Sequence, residues 1–92
     1  MSLPNLPLRK RTIDVGGETV SVRGLSRAEA VQATALLATS VEEMEIFIIS
    51  VVFGVEIDEA ADWYASASQG GAGVILDAVA DLSGLDEASG KG

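Results

Sequence analysis

The sequence predicts a small α+β domain, mostly helical, in which an N-terminal β-hairpin is followed by three to four short helices. Three observations carry that prediction. Two stretches of alternating polar and apolar residues flank Gly16-Gly17. Two Ser-x-x-Glu segments, Ser26 to Glu29 and Ser40 to Glu43, each stand before an apolar run. A chain of 92 residues holds one domain at most. That domain is expected over 11–85, between a flexible leader at 1–10 and a disordered acidic and Gly-rich tail at 86–92.

The hairpin is expected over 11–22. Thr12 to Val15 alternates, and so does Glu18 to Val22. Both intervening glycines can take positive φ without strain, which suits a two-residue turn. Ile13, Val15, Val20 and Val22 then share one face. A lone hairpin is marginal in water, so that face needs a cover. Ahead of it, Pro4 and Pro7 remove amide donors and favour extended chain, as in a loose leader.

The first helix is expected at about 26–39. In Ser26-Arg27-Ala28-Glu29 the hydroxyl can accept an orphan amide while the carboxylate reaches back to the cap amide. Ala28, Val31, Ala35 and Leu36 recur at helical spacing, with Ala33, Leu37 and Ala38 widening the stripe. The second helix is expected at 41–53, where Ser40 caps and Glu42, Glu43 and Glu45 suit the positive N-terminal end. Met44 to Phe53 is apolar almost all round and rich in β-branched residues. A buried strand is therefore a rival reading of 46–53. The third helix, at about 59–67, takes Asp58 as its N-cap. Gln69 to Gly73 is expected to be a flexible loop between helices. The last helix, at about 74–83, places Ile75, Val79 and Leu82 on one stripe and Asp77 and Asp81 on another. Gly84 then takes a left-handed stop, with Leu85 folding back on it.

Fourteen Asp and Glu stand against six Lys and Arg, a formal net charge of −8. The charge is +2 over 1–40 and −10 over 41–92. Such a chain presents either two differently solvated faces or complementary ends to neighbouring copies. An acidic balance argues against nucleic acid as a partner, because phosphate contact needs Lys and Arg. The nearly continuous apolar stretch from Ile46 to Val55 is about half a bilayer span, so no membrane partner is expected. No signal-peptide pattern opens the chain, and a cytosolic location is expected. Hydrophobic residues make up 48% of the chain and only four are aromatic, so the core must be mainly aliphatic. A core this small, without disulfides, often leans on self-association.

Catalytic chemistry has little to build on. The chain has no Cys and no His, which removes the thiol nucleophile and the commonest general base and metal ligand. Gly70-Gly71-Ala72-Gly73 lacks the Lys-Ser/Thr of a phosphate loop and follows no predicted strand. The acids at 42, 43 and 45, and those at 58, 59 and 62, sit where helix N-termini want them, and neither set has calcium-loop spacing. Ser-Lys chemistry would depend on Lys10 or Lys91, both expected in tails. Tyr64, the only phenol, adjoins Trp63 on a helix and suits a core or interface. Arg9-Lys10-Arg11 is too short a basic run for DNA; it reads as a solvated leader or as a partner for an acidic patch on another copy. No enzyme activity, cofactor or metal is expected. The candidate self-association or partner-binding residues are Ile46, Phe47, Ile49, Phe53, Trp63 and Tyr64, because a small chain has more apolar surface here than one hairpin and short helices readily cover.

The order of parts carries a resemblance. The text Thr12-Ile-Asp-Val-Gly-Gly-Glu-Thr-Val-Ser-Val22 leads into Arg23-Gly-Leu-Ser-Arg-Ala-Glu-Ala30. An acid-capped apolar segment, Glu56-Ile-Asp-Glu-Ala-Ala-Asp-Trp-Tyr64 and Ala80-Asp-Leu-Ser-Gly-Leu85 follow. Over most of 12–87 the chain resembles the small tail assembly chaperones of long-tailed bacteriophages, especially those infecting actinobacteria. The resemblance implies an acidic, helical, self-associating morphogenesis factor. It would bind the tape-measure protein, help recruit tail-tube subunits, act in the host cytoplasm and be absent from the mature virion. It also implies a longer product made by programmed frameshifting, for which Gly90-Lys91-Gly92 has suitable coding composition. Two other readings stand beside it: a structural head–tail connector or tail-terminator subunit, and an acidic DNA mimic that inhibits a nucleic-acid-binding protein.

Overall fold

The computed structural model describes residues 7–84. These form strands β1 (Lys10–Val15) and β2 (Glu18–Arg23), then helices α1 (Arg27–Leu37), α2 (Val41–Phe53), α3 (Ile57–Ser66) and α4 (Gln69–Leu82). This is the expected α+β class, one antiparallel hairpin followed by four helices. The expected leader segment 1–6, Leu85 and the tail 86–92 lie outside the described residues.

Ile13 pairs with Val20, Arg11 with Val22 and Val15 with Glu18. Gly16 and Gly17 have φ of 59° and 86°, the double positive φ of a tight hairpin turn whose twist matches the strands. The hairpin starts earlier than the sequence suggests. Lys10 lies opposite Arg23, and the Gly24 N–H donates to the Arg9 carbonyl at 2.9 Å. The basic run therefore belongs to the sheet, and Arg11 is paired within the chain to Asp81 at 2.6 Å.

The cover for the hairpin is α4, which packs on both strands. Its expected stripe, Ile75, Val79 and Leu82, is buried, and Ala78 is buried beside it. Its start is not. The Gly-rich segment read as a loop is helical from Gln69. Ser68 is the N-cap: its hydroxyl accepts from the Gly71 N–H at 3.0 Å, and its carbonyl accepts from the Ala72 N–H at 3.0 Å. Glycine has a packing role here. A Cβ on Gly71 would stand 3.3 Å from a Val15 methyl and 2.9 Å from the Ser68 hydroxyl, so a bare backbone lets the hairpin close on this turn.

The segment 46–53 is helix, and α2 packs against α1, α3, α4 and β2. An element with neighbours on several sides is the place for an apolar surface all round. None of Met44 to Phe53 is exposed, and Ile48 and Ile49 are in the core. The Ser40 hydroxyl accepts from the Glu43 N–H at 3.3 Å, and Gly54 stops the helix with φ 67°.

Two further expectations are corrected. Helix α3 begins at Ile57, with Glu56 at the N-cap and no side-chain cap bond. Asp58 lies inside the first turn, where its charge still meets the helix dipole. The expected apolar stripe of α1 turns inward only in part, at Ala33 and Leu36. Ala33 is buried and Ala30 and Leu36 are half-buried, whereas Ala28, Val31 and Ala35 face solvent. An alanine-rich helix has two similar apolar stripes, and the packing of α1 on α2 selects between them.

Side-chain hydrogen bonds concentrate at the junction of β2 and α1. The Ser26–Glu29 capping box forms in full. The Arg23 guanidinium donates to both Glu29 carboxylate oxygens at 2.9 and 3.2 Å, to the Gly24 carbonyl at 2.9 Å and to the Val51 carbonyl at 2.7 Å. One side chain thus ties β2, α1 and α2 together. The Arg23 hydrogen bond holds the Glu29 carboxyl below its ordinary range, against the opposing effect of burial. Next to it, Leu25 N–H donates to the Ser83 hydroxyl at 2.8 Å, which donates to the Val79 carbonyl at 2.6 Å. Gly24 lies so close to the end of α4 that a Cβ would stand 2.7 Å from the Leu82 carbonyl oxygen.

Candidate functional site

Beside the turn end of the hairpin, the chain leaves an apolar groove of about 370 Å³. Four elements make it. Ile49 from α2, Ala60 from α3 and Ile75 from α4 form its base, and all three are buried. Val15 and Val20 from the hairpin and Phe53 and Val55 from the end of α2 form its sides. Trp63 stands at its mouth, 38% exposed. Each element reaches the groove for a local reason. The tight turn brings Val15 and Glu18 side by side. The left-handed stop at Gly54 turns Val55 back, and the Ser50 hydroxyl fixes it by donating to the Val55 carbonyl at 2.7 Å.

The rim is acidic. Glu18 and Glu59 are both exposed and, among the described residues, are the only charged ones lining the groove. The ion pairs among the described residues are Arg11–Asp81 and Arg23–Glu29, so neither rim carboxylate is in one. Such a groove offers apolar burial and two carboxylates at its edge.

The six candidate residues do not form one surface. Phe53 and Trp63 line the groove, with Ile49 at its base and inaccessible to direct contact beyond it. Ile46 and Phe47 are half-buried and pack on the core. Tyr64 faces elsewhere, as expected of a helical neighbour turned by about 100° from Trp63. Its hydroxyl donates to the Glu45 carboxylate at a second, more polar cleft of about 390 Å³ between α2 and the α3–α4 link. That hydrogen bond, followed by burial and the charges of Glu45 and Glu42, pushes the phenol up to about 12.

Val15, Glu18, Val20, Val55, Glu59, Ala60 and Ile75 complete the groove and are not among the sequence candidates. One signal for Glu18 stood in the alternation: positions 18, 20 and 22 share a face, so Glu18 is a charge on the apolar side of the hairpin. Glu59 reads as an ordinary helix-start acid and gives no such signal. Among the described residues, no helix is long and apolar enough to cross a membrane, and no group of three or more acids is placed to hold a metal ion. Compared with protein-family models, curated proteins and solved structures, the chain finds no match.

Proposed function

We propose that this chain is a non-enzymatic assembly chaperone of the phage tail, which binds the tape-measure protein and helps recruit tail-tube subunits. The observation that carries this reading is the groove: an open apolar cleft edged by unpaired carboxylates on a small acidic domain. A chaperone for long apolar helices needs exposed apolar contact at one place and charge elsewhere to keep the complex soluble. The resemblance of segments 12–30, 56–64 and 80–85 supplies the tail-assembly context. In this reading the chain self-associates, works in the host cytoplasm and leaves the finished tail.

Co-expression with the tape-measure protein tests the proposal. The expected result is a soluble complex that co-purifies, with the chain absent from purified particles. Presence of the chain in purified particles would favour a structural connector or tail-terminator instead. A tape-measure protein equally insoluble with and without the chain would overturn the chaperone reading.

A further inference from the structure

We infer that the groove beside the hairpin turn docks a helical protein segment with large apolar side chains one turn apart and Lys or Arg beside them. The inference deepens the chaperone reading and rests on it for the identity of the partner protein, but not for the chemistry of the occupant. Charge decides the flanks: Glu18 and Glu59 edge the cleft, and among the described residues no basic side chain lines it and neither carboxylate is in an ion pair. A segment with acidic flanks would bring like charges together at the rim.

Size decides the anchors. The volume of about 370 Å³ lies at the low end for ligand clefts, enough for a few side chains but not for a whole helix. The occupant therefore lies across the mouth and inserts its apolar residues, the helix-in-groove mode. A second copy of this chain is a poor match. Among the described residues, the exposed large apolar side chains of its helices, Val31, Leu37, Val41, Ile57, Trp63 and Val74, include no two placed one turn apart on one helix, so a second copy offers no such pair of anchors.

Trp63 is the only tryptophan and stands at the groove mouth, so its emission reports occupancy. The probes are two synthetic amphipathic helices of about 18 residues, free of tryptophan, with the same leucine stripe and either Lys or Glu flanking it. The Lys-flanked helix is expected to shift Trp63 emission saturably and to bind at least about tenfold more tightly than the Glu-flanked one, with the gap narrowing in high salt. In the double variant Glu18→Lys with Glu59→Lys, the preference is expected to reverse. Both positions are exposed, and an unchanged far-ultraviolet circular dichroism spectrum verifies that the variant folds. Equal binding of the two helices, an unchanged preference in the variant, or no Trp63 response would overturn the inference. Failure here with a soluble tape-measure complex would leave the chaperone reading standing and move its contact surface. Success here with no such complex would keep the groove and remove the proposed client.

Discussion

At the open end of the hairpin, Arg23 is tied to α1 and α2 and Leu25 to the Ser83 cap of α4 by hydrogen bonds, while Gly24 bonds to Arg9 across the hairpin. At the turn end, Val15 and Glu18 border a groove, and the side-chain bond is the local one from Thr19 to Asp14 at 3.1 Å. One end spends its polar groups inside the fold; the other leaves them facing outward. The difference separates what holds this chain together from what it has available to bind. It also gives the two ends different expected responses to substitution.

The largest expected effect is at the braced end. Gly24→Ala sets a Cβ against the backbone of Leu82, which cannot yield as a side-chain tip can. Overpacking of this kind costs about 1–3 kcal/mol, and a loss of at least about 2 kcal/mol in urea unfolding is expected. Arg23→Ala removes four hydrogen bonds and leaves the Glu29 carboxylate and the Val51 carbonyl without their partner. Arg23 and Glu29 keep about a quarter of their side-chain exposure, so water recovers part of the loss and about 2 kcal/mol is expected.

The same ion pair gives an acid dependence. Glu29 has a lowered carboxyl pKa in the folded state, so the folded chain holds its proton less tightly than the unfolded one. The stability this supplies is present above the ordinary carboxylate range and is lost as pH falls through the lowered value. Glu29→Gln should flatten that part of the acid limb of a stability–pH curve. A limb as steep as in the wild type would contradict the assignment.

Tyr64→Phe is expected to cost about 1 kcal/mol or less, because one hydrogen bond is lost and Glu45 can be rehydrated. The raised phenol predicts the opposite pH limb. Its contribution is intact below the ordinary tyrosine range and is lost as pH rises towards about 12. An ultraviolet titration of the phenolate checks this directly, since the chain has a single tyrosine. The smallest stability effect belongs to the turn end. Glu18→Lys with Glu59→Lys should change unfolding by less than about 1 kcal/mol, because both sites are exposed and only the basic charge in the first turn of α3 works against the helix dipole, while altering peptide preference as described above. A large stability loss there would erase the contrast between the two ends.

What could be read in the sequence was whatever one segment decides alone. Gly16-Gly17 sets its own turn, Ser26 and Glu29 close their own capping box, and Ile75, Val79 and Leu82 fall on one stripe by spacing. What could not be read depends on a distant segment. Gly71 looks like a helix breaker until Val15 is beside it. Gly24 looks like a linker until the end of α4 lies against it. The choice between the two apolar stripes of α1 belongs to α2, not to α1. The candidate site divides in the same way. Phe53 and Trp63 stood out by type, but the groove that joins them needs the hairpin, and Tyr64 turns to another cleft. Glu59 gave no warning, because a carboxylate in a first helical turn already has a reason to be there.

Amide chemical shifts of the isotope-labelled chain, recorded as the Lys-flanked helix is added, test the contrast most directly. The expected result is that shifts concentrate at Glu18 to Val20, at Val55 and from Glu59 to Trp63. Arg23 to Leu25 and the outward face of α1 should stay in place. Shifts centred on Ala28, Val31 and Ala35, with the groove unmoved, would contradict the assignment of the turn end as the binding end.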